Sequence, residues 1–309
     1  MRLGNTSVIS FINLKGGVGK TTTSVNVAAT LSQKLYESGS NQKEIRVLFI
    51  DLDPQSNGSL TFLDKNDYEK VEHENKTIYE LFRYELSRND DQDTFDLNPI
   101  IIKHVHNLNV DVIPSSLKLF DIQDKLVSYN RYYLSAIDIL YNALNKLRME
   151  KTVYTHIIID CPPSLGLITQ NALSMSRYYI VPVFLDSYSR WGLDKINESI
   201  ERLKRTKASC VIELLGVVYS KVNTKTTIEN NEYIEQFSKW DEDFRQNRKI
   251  RSSDSIVFTT KIKELDIIRK AESAHKPIII YDKNNEIQVD GFSKLTDEVL
   301  ARIQKLKNA

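Results

Sequence analysis

Short apolar runs rich in β-branched residues alternate along the chain with longer stretches whose apolar residues recur at helical spacing. This alternation is typical of βα units built around a mostly parallel sheet. Several runs are apolar at consecutive positions, as expected for strands that helices cover on both faces. The runs that we predict to be strands are 8–13, 46–50, 110–113, 156–159, 178–183, 214–220 and 277–281.

Between these runs, one apolar residue in every three or four predicts helices with a single buried face. The predicted helices are 22–37, 131–147, 191–207 and 292–306. No repeat of fixed period and no Pro/Gly/Ser-rich linker divides the chain. We therefore expect one α/β domain over residues 1–309, with a mostly parallel, twisted sheet and helices on both faces.

Composition narrows the class of protein. The 309 residues include 42 Lys+Arg and 41 Asp+Glu, so the chain is not basic throughout, and its two cysteines cannot build a disulfide framework. No apolar run is long enough to span a bilayer, and a reducing cytoplasm is the expected location. The charge is unevenly spread: residues 64–96 hold eleven acidic and five basic residues, whereas 244–276 hold nine basic and four acidic ones.

A glycine-rich loop joins the first predicted strand to the first helix and reads N-L-K-G-G-V-G-K-T-T from Asn13. Glycines let the backbone turn its N–H groups toward phosphate oxygens, and the helix N-terminus adds partial positive charge. Lys20 is placed for the β- and γ-phosphates of a nucleotide, and the Thr21 hydroxyl for Mg²⁺. The general phosphate-loop pattern would have glycine at position 14, where this chain has Leu14 followed by a second lysine, Lys15.

The sequence K-G-G-V-G-K-T-T resembles the deviant Walker A motif of the ParA/MinD family of P-loop ATPases. The resemblance implies that Lys15 reaches across an ATP-sandwiched dimer to the phosphates of the partner. Together with Lys20, it would neutralise charge on the transferring phosphate. The residues that this loop would place against the nucleotide are Lys15, Gly16, Gly17, Val18, Gly19, Lys20, Thr21 and Thr22.

Acidic residues follow two further apolar strands. The strand at 46–50 runs into Asp51 and Asp53, which belong on the ligand-binding edge of the sheet. The segment resembles the family motif D-x-D-P-Q, which implies that Asp53 orients or activates the attacking water and that Asp51 supports Mg²⁺ and the switch geometry. Asp160 ends the strand at 156–159 and begins a segment similar to the family's D-x-P-P-S-L-G, so it would hold Mg²⁺ through water. Cys161 has no histidine pattern beside it and is interpreted as a structural residue.

The resemblance extends over most of the chain and implies a ParA-type partition ATPase. Its cofactors would be ATP and Mg²⁺, and its partners a second copy of the chain, non-specific DNA on the nucleoid, and a ParB-like protein that stimulates hydrolysis. We expect Asn223 to contact adenine. The basic residues that we expect at the DNA are Arg245, Arg248, Lys249, Arg251, Lys261, Lys263, Arg269 and Lys270, with Arg202, Lys204, Arg205 and Lys207 from an earlier helix.

Other functions stay open at this point. Relatives with the same motifs position protein cargo, and MinD-like relatives act on membranes through a C-terminal amphipathic helix. Residues 299–307 are amphipathic and cationic, although docking on the sheet is the expected fate of this segment. A metabolic P-loop enzyme that phosphorylates or ligates a small molecule is a third alternative. Only seven residues precede the first strand, so no N-terminal helix-turn-helix domain is expected.

Overall fold

A six-stranded parallel sheet forms the centre of the molecule. The computed structural model describes residues 3–38, 41–87, 94–128, 136–149, 154–186, 189–222, 227–247, 255–282 and 286–308. The strands are β1 (Ser7–Phe11), β2 (Leu35–Ser38), β3 (Asn41–Glu44), β4 (Val47–Asp51), β5 (Val110–Ile113), β6 (His156–Asp160), β7 (Tyr178–Val183) and β8 (Glu213–Tyr219). The sheet has the order β5-β4-β6-β1-β7-β8, while β2 and β3 form a separate antiparallel hairpin.

Helices cover both faces of the sheet. They are α1 (Lys20–Leu31), α2 (Asn57–Phe62), α3 (Lys65–His73), α4 (Ile78–Ser87), α5 (Leu119–Ser128), α6 (Ile139–Met149), α7 (Leu167–Met175), α8 (Ser189–Thr206), α9 (Thr227–Asn247), α10 (Asp266–Ser273), α11 (Ile278–Tyr281) and α12 (Glu286–Asn308). Alternate strand residues point to opposite faces. In β4, Leu48 and Ile50 pack into one core, and Val47 and Phe49 into the other. This explains why the strands are apolar at consecutive positions.

The structure confirms six of the seven predicted strands in the parallel sheet and the α/β class. The prediction of a strand at 277–281 was wrong, because this segment is the short helix α11. The Ile278 N–H donates to the Asn26 side chain at 2.8 Å, and Ile280 and Tyr281 donate to the carbonyl of Pro277. An apolar run of this length does not distinguish a strand from a short helix.

The prediction that one helix runs over 22–37 was also wrong. Helix α1 ends at Leu31, where the Ser32 hydroxyl donates to the Ala29 carbonyl at 2.7 Å, and the chain continues into β2. Leu35 is exposed, so its helical spacing does not reflect burial. The predicted helix 131–147 corresponds to α6, and residues 129–135 lie outside the described part of the chain.

The C-terminal helix α12 is docked on the sheet, as expected. Its apolar residues Phe292, Leu295 and Val299 are fully buried against the face that carries α1. The guanidinium of Arg302 donates to the carbonyls of Leu215, Ile256 and Val257 at 2.8–2.9 Å. The apolar surface of this helix is therefore used internally. Among the described residues, no helix combines the length and apolarity needed to cross a bilayer.

Candidate functional site

The glycine-rich loop lies between β1 and α1, at the carboxyl edge of the parallel sheet. Gly17 and Gly19 have φ angles of 74° and 76°, in the left-handed region that favours glycine. No side chain or backbone comes within 4 Å of the place where a Cβ on Gly17 would lie, so the loop is open on that side. Helix α1 begins at Lys20 with no acidic residue in its first turn. The loop and the helix therefore present backbone N–H groups and a positive dipole end to the same space.

Side chains from the neighbouring strands hold this loop in place. The Asn13 amide donates to the Pro182 carbonyl at 2.7 Å, and its oxygen accepts the Lys15 N–H at 2.9 Å. The Ser220 hydroxyl, after β8, donates to the Val18 carbonyl. The ends of β7 and β8 thus fix the loop from behind, which pre-organises it for an anion.

Lys20 is the central cation of the site. Its ammonium is 3.2 Å from the Lys15 carbonyl, and only 6% of the residue is exposed. Burial lowers the pKa of Lys20, while the negative charges of Asp160 and Asp53 raise it. A buried cation at the start of a helix is suited to bind a phosphate.

Asp160 ends β6 and is fully buried, paired in register with Asp51 of β4. Burial raises the pKa of Asp160 well above its usual range; the nearby Thr21 hydroxyl lowers it. Within the described part of the chain, neither carboxylate oxygen of Asp160 has a donor at hydrogen-bonding distance and angle. Two unsatisfied buried carboxylate oxygens are costly, and a hard cation is the partner that would satisfy them. Asp160 and Thr21 therefore fit a Mg²⁺ site.

Both carboxylate oxygens of Asp51 accept hydrogen bonds from the protein. One carboxylate oxygen accepts from the Ser59 N–H and hydroxyl, both at 2.7 Å, and the other accepts the Asp53 N–H at 3.1 Å. Burial raises the pKa of Asp51 to about 7, and the Ser59 hydrogen bonds lower it. The carboxylate also lies close to Gly58, where an added Cβ would come within 3.1 Å of it. The support of Mg²⁺ by Asp51 stays a prediction.

Asp53 faces the same space as Lys20. Its carboxylate accepts the Gln55 N–H at 2.9 Å, and the Ser115 hydroxyl donates to its backbone carbonyl at 2.7 Å. Burial raises the pKa of Asp53, whereas the Gln55 hydrogen bond and the Lys20 charge lower it. Within the described part of the chain, the other carboxylate oxygen of Asp53 accepts no backbone hydrogen bond and can accept one from a ligand or a water.

These groups surround a cleft of about 420 Å³. Its walls come from the loop, from α2 and the turn before it, from segments after β6 and β8, and from the end of α10 and the turn after it. The lining residues are Gly16, Gly17, Gly19, Lys20, Thr21, Thr22, Asp53, Gln55, Asn57, Leu60, Thr61, Pro163, Lys221, Glu272 and His275.

Lys15 is placed differently from the other predicted nucleotide contacts. Within the described chain, the cleft wall does not include Lys15. Its ammonium instead forms an ion pair with Asp186 after β7 and lies 5.3 Å from the centre of the Phe184 ring. The lysine side chain is 45% exposed. The second lysine of the loop therefore faces away from the nucleotide cleft of its own chain.

The predicted basic residues differ in their exposure and in the ion pairs that they form. Arg245 forms an ion pair with Asp241, and Lys207 is buried in an ion pair with Asp138, so Lys207 is unavailable to DNA. Arg269 pairs with the exposed Asp266 on its own helix. Lys261, Lys263, Arg269 and Lys270 are exposed. Arg248, Lys249, Arg251 and the predicted adenine contact Asn223 lie outside the described residues.

Sequence reasoning missed four residues that shape the site: Ser59, Asp186, Lys221 and Glu272. Two of them follow strand ends, Asp186 after β7 and Lys221 after β8, and that position was an available signal. Ser59 and Glu272 lie on helices and reach the site only through the packing of distant segments. No local pattern marks them.

The site is that of a P-loop nucleotide-binding protein, and comparison with known proteins gives the family. A family model described as an AAA domain matches residues 6–212. The sporulation initiation inhibitor protein Soj of Bacillus subtilis is 33% identical over 95% of this chain and 98% of its own length. The chromosome partitioning protein ParA of Myxococcus xanthus is 29% identical over 89% of this chain and 81% of its own. The chain therefore belongs to the ParA/Soj family of P-loop ATPases.

Solved structures share the fold. A plasmid partition protein of Borrelia burgdorferi bound to AMPPNP is 22% identical, with a TM-score of 0.69 over 97% of this chain and 99% of its own. An ATP complex of Cyanothece McdA is 19% identical, with a TM-score of 0.69 over 97% of both chains. Cobyrinic acid a,c-diamide synthase of Mycobacterium smegmatis, with ADP and magnesium, is 21% identical and has a TM-score of 0.67 over 97% and 96%. At these identities the likeness describes the architecture only.

Proposed function

We propose that this chain is a Mg²⁺-dependent ATPase of the DNA-partition type, which closes into a dimer around two ATP molecules, binds DNA in that state and leaves it after hydrolysis. The observation that supports the proposal most directly is that the two lysines of the loop lie in different places. Lys20 lies in the cleft with Thr21 and Asp53, whereas Lys15 faces outward. A cation that is exposed beside, and outside, its own cleft is suited to act on the nucleotide of a second subunit.

The residues of the cleft have separate tasks in this proposal. The loop N–H groups and Lys20 bind the phosphates, and Lys15 of the partner adds charge from the other side. Thr21 and Asp160 would hold Mg²⁺, which neutralises phosphate charge when bound. The free oxygen of Asp53 orients the attacking water. Asp51 and Ser59 keep the loop that carries Asp53 in place.

The proposed DNA contacts are exposed basic residues in the C-terminal half of the chain. Lys261, Lys263, Arg269 and Lys270 are exposed, and a dimer would double their number. Contacts of this kind give non-specific binding with a Kd on the order of 10⁻⁴ to 10⁻⁶ M and a steep salt dependence. A ParB-like partner at a centromere-like site would stimulate hydrolysis and remove the protein locally. The protein would then be cytoplasmic and associated with the nucleoid.

Structural and biochemical observations distinguish the proposed function from its three alternatives. The buried apolar face of α12 argues against a MinD-like membrane helix. Positioning of protein cargo, as expected for relatives with the same motifs, stays an alternative to the movement of DNA. A metabolic P-loop enzyme remains compatible with the architecture, and it predicts an ATPase that depends on a small substrate and not on DNA.

The test is an ATPase assay with purified protein, with and without DNA and Mg²⁺, on wild type and Lys20→Gln. We expect slow hydrolysis that requires Mg²⁺, and nucleotide binding that Lys20→Gln abolishes. Lys294→Gln, an exposed lysine on α12 that pairs with Asp290, is the matched control and should behave as wild type. Unchanged binding and hydrolysis in Lys20→Gln would refute the assigned site.

A further inference from the structure

Glu272 is a carboxylate at the nucleotide cleft that the reaction described above does not use. It lies on α10 and accepts a hydrogen bond from the hydroxyl of Thr22, the residue after the metal-binding Thr21. Glu272 also lines a second, smaller cavity of about 50 Å³, whose walls combine the apolar residues Ile262, Leu265 and Ile268 with polar and charged ones. Glu272 therefore borders both the phosphate cleft and this neighbouring cavity.

The two cavities share a boundary. The residues that line both are Gly19, Thr22, Lys221 and Glu272. In a nucleotide, the sugar lies between the phosphates at one end and the apolar base at the other. The loop would bind the phosphates in the first cavity, and the base would then lie against the apolar residues Ile262, Leu265 and Ile268 that border the smaller second cavity. The shared boundary then corresponds to the sugar.

The chemistry of Glu272 selects among the groups that could lie there. An ionised carboxylate only accepts hydrogen bonds and repels phosphate oxygens. The hydroxyls of a ribose are the donors that a nucleotide offers next to its phosphates. Acidic side chains bind ribose hydroxyls in the same way in dinucleotide-binding folds. The Thr22 hydroxyl, which now donates to Glu272, shows that the carboxylate is accessible to a hydroxyl donor at this point.

We propose that Glu272 accepts a hydrogen bond from the ribose and makes the site selective for ribonucleotides over deoxyribonucleotides. This inference rests on the proposed function, because it requires that the cleft binds ATP. Hydrogen bonds to charged groups are among the stronger ones in proteins, so loss of the sugar hydroxyl is expected to weaken binding by about 10-fold or more.

The experiment is a set of equilibrium titrations with ATP, 2′-deoxy-ATP and 3′-deoxy-ATP in the presence of Mg²⁺. Wild type should bind ATP at least about 10-fold more tightly than one of the two deoxy analogues. In Glu272→Ala the ratio should fall to within about twofold, through weaker binding of ATP with little change for that analogue. Glu272→Gln, which keeps a neutral acceptor, should give an intermediate ratio.

Glu242→Gln is the matched control, since Glu242 is an exposed carboxylate on α9 that lines neither of the two cavities. It should keep the wild-type ratio. Equal affinities in wild type, or a ratio that survives in Glu272→Ala, would overturn the inference while ATP binding itself remains intact. Failure of wild type to bind any of the three nucleotides would refute the proposed function and this inference with it. Melting temperatures near the wild-type value check that each variant is folded.

Discussion

The ion pair between Lys15 and Asp186 gives a quantitative prediction about dimer formation. If Lys15 acts on the partner's nucleotide, closure of the dimer must break this pair in each subunit. Asp186 is held in place by the Ser189 N–H and hydroxyl, both at 2.9 Å, so it is a fixed counter-ion. The substitution Asp186→Asn removes its charge and keeps an oxygen for Ser189.

The expected gain in dimer affinity can be estimated from the exposure of the two side chains. The Lys15 and Asp186 side chains are 45% and 25% exposed, and ion pairs near the surface stabilise by about 0.2–1 kcal/mol. A symmetric dimer breaks two such pairs, so the variant should dimerise more tightly by about 0.4–2 kcal/mol, or roughly 2- to 30-fold in Kd. The gain should shrink as salt is raised, because solvent ions screen exposed pairs.

The assay is sedimentation or mass photometry of the AMPPNP-bound protein over a range of concentrations. Asp266→Asn is a suitable control, since it breaks another exposed ion pair, with Arg269, on α10. An unchanged or weaker dimer in Asp186→Asn would show that Asp186 does not compete for Lys15, and the reasoning would be wrong.

Three further predictions concern the carboxylates. Asp53→Ala should bind ATP normally and hydrolyse it at least about 100-fold more slowly, and normal turnover would remove Asp53 from its role with water. In Asp160→Asn, Mg²⁺ should no longer strengthen ATP binding in titrations with and without the metal; a retained Mg²⁺ effect would contradict the site. Burial raises the pKa of Asp51 from 3.8 to about 7, so between about pH 4 and 7 the folded state holds a proton that the unfolded state has released. The free energy of unfolding should therefore fall as pH rises through this window, by up to about 1.4 kcal/mol per pH unit from this group. Denaturant titrations at pH 5 and 7 should show a smaller fall in Asp51→Asn, and an equal fall would contradict the assignment.

The parts of the site that the sequence predicted are those written in short contiguous motifs. Lys20, Thr21, Asp53 and Asp160 are predictable because each follows an apolar strand, and the carboxyl ends of parallel strands meet at one edge of the sheet. The partners of these residues come from distant segments. The contact between Lys15 and Asp186 spans 171 positions, and that between Thr22 and Glu272 spans 250. No periodicity in the sequence reports such pairs.

The same limit explains the wrong predictions. The segment 277–281 has the composition of a strand, and its helical conformation depends on the Asn26 side chain, which lies far away in the sequence. As a lysine in a basic stretch, Lys207 was predicted to contact DNA. Its burial in an ion pair with Asp138, 69 positions away, is visible only in the structure. Net charge along the chain therefore located a basic segment without distinguishing surface cations from buried ones.

In the proposed function, ATP switches this protein into a form that binds DNA. Binding to a non-specific DNA duplex should be measured with ATP and Mg²⁺, with ADP and Mg²⁺, and without nucleotide, each across a salt series. Binding with ATP should weaken steeply as salt rises, and little binding is expected in the other two conditions. Equal binding in all three conditions, or binding to anionic liposomes with none to DNA, would contradict it.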